Sequence, residues 1–191
     1  MEEIDFPIQT IFYVLGLFIL LRGTFYMVKQ KDAVIIERLG KFNKVSKAGL
    51  HLKIPFIDRI SGNVNLRVRE LPVEVETKTK DDVFVRIVVS VQFFVIDAPV
   101  GIKDSFYELN NPEQQIQSYV FDSIRSEVPM MELDDVFAEK EKIALAVKTE
   151  LSDTMRQFGF DFIKALVTDI DPDAKVKHSM NEINAAKRMK E

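Results

Sequence analysis

VNLRVRELPVEVETKTKDDVFVRIVVSVQFFVI, residues 64–96, carries the pattern that sets the fold class. In its second half, every odd position from Val83 to Val95 is valine, isoleucine or phenylalanine, while Arg86, Ser90 and Gln92 take even ones. Successive side chains of a strand point to opposite faces, so residues 83–96 read as one long strand with its odd face on a core. Phe84, Val88, Phe94 and Ile96 leave the even face only partly polar, which calls for a cover, either a helix or a neighbouring subunit. In the first half, Val64, Leu66 and Val68 alternate with Asn65, Arg67 and Arg69. Parity then moves to Leu71, Val73 and Val75 around Pro72, predicting a bulge or bend there. Lys80, Asp81 and Asp82 form the turn between the halves.

Upstream, AVIIERLGKF reads as a strand over 33–39 that ends in a turn at Gly40. KAGLHLKIPFIDRI puts a turn at Gly49 and closes a short strand at Pro55, since proline cannot donate to a ladder. Downstream the period becomes helical. Asn111 caps, Pro112 suits the first helical position and Gln114 completes a capping-box-like arrangement. Ile116, Tyr119, Val120, Ile124 and Val128 then share a stripe until Pro129. A second helix begins near Asp134 and carries Val136, Ile143, Val147, Leu151, Met155 and Phe158, with Gly159 placed to end it. Residues 160–170 return to β character, and Asp171 and Pro172 start a last helix. Strands, then helices, then a strand and a helix make an α+β domain, with no repeat and no linker after about Lys31.

The chain opens on a different pattern. No charge occurs over residues 6–21, and residues 4–28 add only Asp5 and Arg22. As a straight helix that longer span would reach about 37 Å against the ~30 Å of a hydrocarbon core. The expected membrane anchor, residues 1–28, thus rests on Phe6, Ile8, Ile11, Phe12, Tyr13, Val14, Leu15, Leu17, Phe18, Ile19, Leu20, Leu21, Phe25, Tyr26 and Val28, either spanning or re-entrant with a bend near Gly16 or Gly23. Arg22 would snorkel. Tyr13 and Tyr26, toward the two ends, resemble an interfacial belt. A cleaved signal is disfavoured by Glu2, Glu3 and Asp5 at the start. Arg22, Lys29 and Lys31 follow the run, so the positive-inside rule puts the body, residues 29–191, on the cytoplasmic side.

Chemistry is sparse. Net charge is −4 over 191 residues, with bases scattered among acids, which gives no reason to expect nucleic acid. Cysteine is absent, removing disulfides, thiolate metal sites and S-palmitoylation. His51 and His178 share no ligand spacing, so neither a metal nor another cofactor is expected. Ser179 has no strained turn to present it. Asp81 with Asp82 and Asp134 with Asp135 read as turn and cap residues. Asp169, Asp171 and Asp173 lack the glycine and glutamate of a calcium loop. No glycine spacing suits a phosphate loop. A binding or scaffolding role is favoured over an enzyme.

QKDAVIIERLGKF, GLHLKIPFIDRI, residues 64–93 of the stretch quoted at the outset, QIQSYVFDSIRSEVPMMELDDVF and TDIDPDAKVKHSMNEINAAKRMKE together resemble the band 7 or SPFH family of stomatins, prohibitins and flotillins. The resemblance runs from about Gln30 to the last residue and is nearest to the plant hypersensitive-induced reaction branch. It implies a single SPFH domain of twisted, mostly antiparallel sheet with packed helices, held at a membrane. It also implies a homo-oligomeric ring or cage that gathers membrane lipids and controls membrane proteins such as a protease, channel or receptor, with no catalytic residue. That branch carries a glycine after the initiator methionine for acylation. Glu2 stands there instead, so the apolar run is expected to replace the lipid. The last helix, with Val176, Met180 and Ile183 on one stripe, is where the family's coiled coil is expected to begin.

Subunit contacts are expected at Phe84, Val88, Phe94 and Ile96 on the long strand and at Val136, Ile143, Val147 and Leu151 on the second helix. The competing reading is a membrane-tethered hydrolase, or an activator of a membrane protease, using Ser179 or the acid pairs. A monomeric lipid-binding module is a third.

Overall fold

The computed structural model describes residues 23–174 together with Thr10, Tyr13, Leu15, Phe18, Val176 and Lys177. Its β elements form three antiparallel sheets rather than one. Strand β1 (Phe25–Val28) pairs with β4 (Gly49–Leu52) in a two-stranded ribbon. Strand β2 (Asp32–Arg38) lies between β3 (Lys41–Ser46) and β5 (Asp58–Asn65). Strand β7 (Phe84–Val95) lies between β6 (Arg69–Lys78) and β8 (Phe160–Pro172).

The β6–β7–β8 sheet carries the main core. Val85, Ile87, Val89, Val91, Phe93 and Val95 are all buried, as the odd-position pattern predicts. Helix α1 (Pro99–Tyr107) follows β7, then α2 (Pro112–Glu127), the short α3 (Leu133–Ala138) and α4 (Lys140–Met155). The stripe Ile116, Val120, Ile124 of α2 and Ile143, Val147, Leu151, Met155 of α4 closes the core over the sheet. At the start of α2 the Asn111 side chain accepts the Gln114 backbone N–H and donates to its side-chain carbonyl, as a capping pair should.

Strand β2 joins the layers. Ala33 and Ile35 face the main core while Val34 and Ile36 pack with Val28 and Tyr26 under the ribbon. A strand buried on both faces has no polar side, hence the unbroken run AVII.

Several expectations need correction. The parity change near Pro72 is not a bulge: β6 and β7 stay in register from Arg69↔Phe93 to Lys78↔Phe84. Strand β5 instead ends at Asn65, whose side chain accepts the Arg67 N–H and turns the chain toward the next sheet. The second helix is two helices, parted at Glu139, which leaves helical geometry at φ −106°, ψ 25°. Helix α1 has no counterpart in the sequence reading because it buries little, chiefly Gly101, Ile102 and Ser105. Strand β8 continues through Pro172, so the last helix starts later, with Ala174, Val176 and Lys177 helical. The expected coiled-coil start at Met180 and Ile183 lies outside the described residues.

Candidate membrane-facing surface

The end of the apolar run does not continue as a helix. Thr10, Tyr13, Leu15, Phe18, Gly23 and Thr24 are helical, but Phe25 begins β1. Three expected anchor residues are therefore reassigned. Val28 is buried against Val34 and Ile36, and the Tyr26 ring stacks on His51 with its hydroxyl 2.5 Å from Ser46 Oγ. Only Phe25 of the three faces outward. The cause is the strand's period of two: Tyr26 and Val28 share the face toward β2, so Phe25 and Met27 must take the other. Of the other anchor residues, Tyr13, Leu15 and Phe18 are helical and exposed, whereas Phe6, Ile8, Ile11, Phe12, Val14, Leu17, Ile19, Leu20 and Leu21 lie outside the described residues. Among the described residues no helix is long and apolar enough to cross a membrane.

The outward face of this ribbon is wholly apolar. Phe25 sits opposite Leu52 and Met27 opposite Leu50, and all four side chains are exposed, Met27 by 78%. The chain leaves β4 into the loop 53–57, adding Ile54, Phe56 and Ile57 to the exposed apolar set. Leu39, at the β2–β3 turn, hydrogen-bonds through its N–H to the Ile57 carbonyl at 3.2 Å and joins the same tip.

Two of these tip residues are strained. Leu39 has φ 51° and Phe56 φ 68°, yet their side chains are 81% and 88% exposed. Bulky residues avoid left-handed backbone, at a cost of about 1–3 kcal/mol each, and they hold it only where surroundings dictate it. Here the Asp58 carboxylate dictates it. It accepts from Arg38 Nε at 2.7 Å and from the Ile54 N–H at 2.9 Å, pinning both sides of the tip.

The Arg38 hydrogen bond, then the Ile54 N–H, hold the Asp58 pKa down at about 2, against an ordinary 3.8. A carboxylate with a depressed folded-state pKa lends stability in full above its unfolded value and loses it as pH falls toward the folded one. Between about pH 4 and 2 the wild-type chain is thus expected to lose more stability than Asp58→Asn, which keeps an acceptor for Ile54 but no charge for Arg38. Equal acid slopes in denaturant titrations of the two proteins would refute this role.

Charge follows the apolar surface. Residues 25–68 hold nine lysines and arginines against Asp32, Glu37 and Asp58, although acids outnumber bases 30 to 26 in the whole chain. Lys44 Nζ donates to the Leu52 carbonyl, and Lys47 pairs with Asp97, so cations border the ribbon directly. Exposed apolar side chains rimmed by cations suit an anionic leaflet, where each cation near the surface contributes about 1 kcal/mol.

This half is clamped to the core half at one junction. Tyr107 and Ser61 both donate to Glu37 Oε1, at 2.6 and 2.7 Å, which holds that carboxyl below its ordinary range. The Phe106 ring lies where a Cβ on Gly62 would stand, 2.1 Å away.

The other candidate groups hold structural posts. Asp81 accepts from Thr79 and from the Leu133 N–H at the start of α3, Asp82 takes the turn at φ 67°, and Asp134 and Asp135 sit in α3's first turn. Asp171 pairs with Lys177 at 2.8 Å. Among the described residues no group of three or more His, Cys, Asp or Glu could hold a metal. His178 and Ser179 lie outside the described residues.

The expected contact residues divide. Phe84 is 64% exposed, and Val88, Phe94 and Ile96 are half-buried. Val136, Ile143, Val147 and Leu151 are buried within the chain's own core, where a neighbouring subunit cannot touch them. The helical stripe faced the sheet of the same chain. The sequence reading missed Leu39, Leu50, Leu52, Ile54, Phe56 and Ile57. The basic block over residues 25–68 was the signal that marks them.

The α+β body thus presents an apolar, cation-rimmed end at the point where the apolar N-terminal run of the sequence enters it. Residues 26–191 match the SPFH domain / Band 7 family, and the chain belongs to it. It is similar to hypersensitive-induced response protein 4 of Arabidopsis thaliana, 42% identical over 163 residues, 85% of this chain and 55% of that one. It is also similar to the stomatin-like protein stl-1 of Caenorhabditis elegans, 28% identical over 166 residues, covering 85% of this chain and 49% of the relative. An uncharacterized protein of Methanocaldococcus jannaschii is 28% identical over 178 residues, 93% of this chain and 86% of that protein. The chain thus spans about half the length of the plant and worm relatives.

Proposed function

We propose that this chain is a non-enzymatic, membrane-bound scaffold that assembles into oligomeric rings or cages, organises membrane microdomains and regulates partner membrane proteins such as proteases, channels or receptors. The apolar N-terminal run anchors it with the body on the cytoplasmic side. The body lies down on the leaflet through the ribbon and the tip formed by Leu39 and Phe56. The observation that carries this reading is the exposure of those two strained side chains. Water gives no return for holding a bulky residue in left-handed backbone, whereas full burial of each in acyl chains contributes about 1.5–3 kcal/mol. Membership of a family known for membrane association and oligomerisation supports the same reading.

The test uses the absence of cysteine. Single variants Leu39→Cys, Leu52→Cys and Phe56→Cys, with Thr149→Cys on α4 as control, are labelled with a polarity-sensitive fluorophore in the full chain. Each is reconstituted in phosphatidylcholine–phosphatidylserine vesicles. Blue-shifted emission, quenched by brominated acyl chains, is expected at 39, 52 and 56 but not at 149. Water-like emission at all three sites defeats the leaflet contact, and electron microscopy of the same vesicles without rings or cages defeats the scaffold.

A further inference from the structure

One surface remains outside this reading. Strand β8 is an outer strand of its sheet, and α4 packs beside it, leaving a groove of about 450 Å³. Leu145, Leu166 and Val167 line it, with Lys140, Lys148, Lys164 and the single acid Glu141 on its walls. Leu145 is 63% exposed and stands off the α4 stripe that fills the core. Among the described residues none of the three lysines has an ion-pair partner within the chain. The groove therefore suits an apolar plug set in a negative collar.

The chain presents such a plug elsewhere. Phe84 begins β7 with its side chain exposed on the outer face of the sheet. Around it on that face stand Glu74 and Glu76 of β6 and Asp169 and Asp171 of β8, brought together by the registers Glu74↔Val88, Glu76↔Arg86, Arg86↔Asp171 and Val88↔Asp169. Arg86 is shared between Glu74 and Glu76, at 3.1 and 3.7 Å, and Lys177 pairs with Asp171. Lys78 lies over the Phe84 ring and is balanced by Asp82. Carboxylates outnumber cations around this plug, which leaves the collar negative, while three lysines against one glutamate leave the groove positive.

We infer that copies of this chain join by seating the Phe84 plug of one copy in the Leu145 groove of the next. This deepens the oligomeric reading above and rests on it. Plug and groove are different patches, so the contact is heterologous: an open series keeps one free plug at one end and one free groove at the other, and it ends only by closing on itself as a ring. Half of the contact is a residue expected from the sequence, Phe84. The helix supplies Leu145 in place of the four core residues.

The test blocks each half separately in the full chain, in mild detergent at low salt, with mass read by light scattering. Leu145→Asp closes the groove and Phe84→Asp removes the plug. Both positions are exposed, so the fold tolerates the change, and circular dichroism verifies it. Each variant alone is expected to weaken assembly at least about tenfold. Their mixture is expected to form one-to-one pairs and nothing larger, because one partner keeps a plug and the other a groove. Wild-type assembly is expected to weaken as salt is raised, in keeping with screening between exposed charges. If the wild type assembles and the variants match it, or the variants fail and their mixture stays monomeric, the plug-and-groove contact is wrong while the scaffold stands. If the wild type itself is monomeric at high concentration, the oligomeric reading falls too.

Discussion

Leu151→Asp is expected to unfold the chain outright instead of merely separating its copies. Leu151 is fully buried with Ile143, Val147 and Met155 on the α4 face that closes over β8. Truncation to alanine at such a site costs about 2–5 kcal/mol from lost transfer and the cavity left behind. A carboxylate there adds the cost of an unpaired buried charge, several kcal/mol more, against a total stability of ~5–15 kcal/mol for a domain. Thermal melting followed by circular dichroism separates the two outcomes. A variant that melts near the wild-type temperature but has lost its oligomers would return Leu151 to the subunit interface. Leu145→Asp, six residues earlier on the polar side of the same helix, provides the contrast: full helicity and altered assembly.

The second large effect belongs to Gly159→Val. Gly159 ends the turn after α4 at φ 80°, a conformation that a β-branched residue reaches only with strain. Its Cα is also pressed against the first turns of α1, where an added Cβ would stand 2.0 Å from the Gly101 carbonyl oxygen. That neighbour is backbone and cannot swing aside, and Gly101 is itself hemmed in by Ile96. Either α1 or the start of β8 must move, and β8 is held there by the Ile96 N–H to Gly159 carbonyl bond of 2.9 Å. Strain and overlap together are expected to cost about 3–5 kcal/mol. Chemical denaturation of Gly159→Ala and Gly159→Val measures it. Both losing less than about 1 kcal/mol would show that the close approach to α1 is not a constraint.

Residues 83–96 show how far reading from sequence reached. The odd face of β7 is core at every position because strand alternation belongs to the backbone itself and needs no knowledge of partners. The Asn111 cap and the Gly159 stop were legible for the same reason, each being a requirement of its own helix end. The family was legible too, from motifs strewn over most of the chain. The membrane-facing tip was not, because GLHLKIPFI reads as an ordinary short strand until its partner is known. Pairing with β1 turns Leu50 and Leu52 outward beside Met27 and Phe25, and the Asp58 clamp fixes Phe56 in left-handed backbone.

Sequence by itself therefore determined the α+β class, the family and which side of each strand or helix is apolar. Tertiary structure alone decided what each apolar side meets. It sent the α4 stripe into the chain's own core, took residues 25–28 out of the expected anchor into a ribbon, and left Leu39, Phe56, Phe84 and Leu145 uncovered. The reason is physical. Periodicity is a local property of 3.6 or 2 residues per repeat, whereas burial depends on contacts between residues tens of positions apart, which no local pattern encodes.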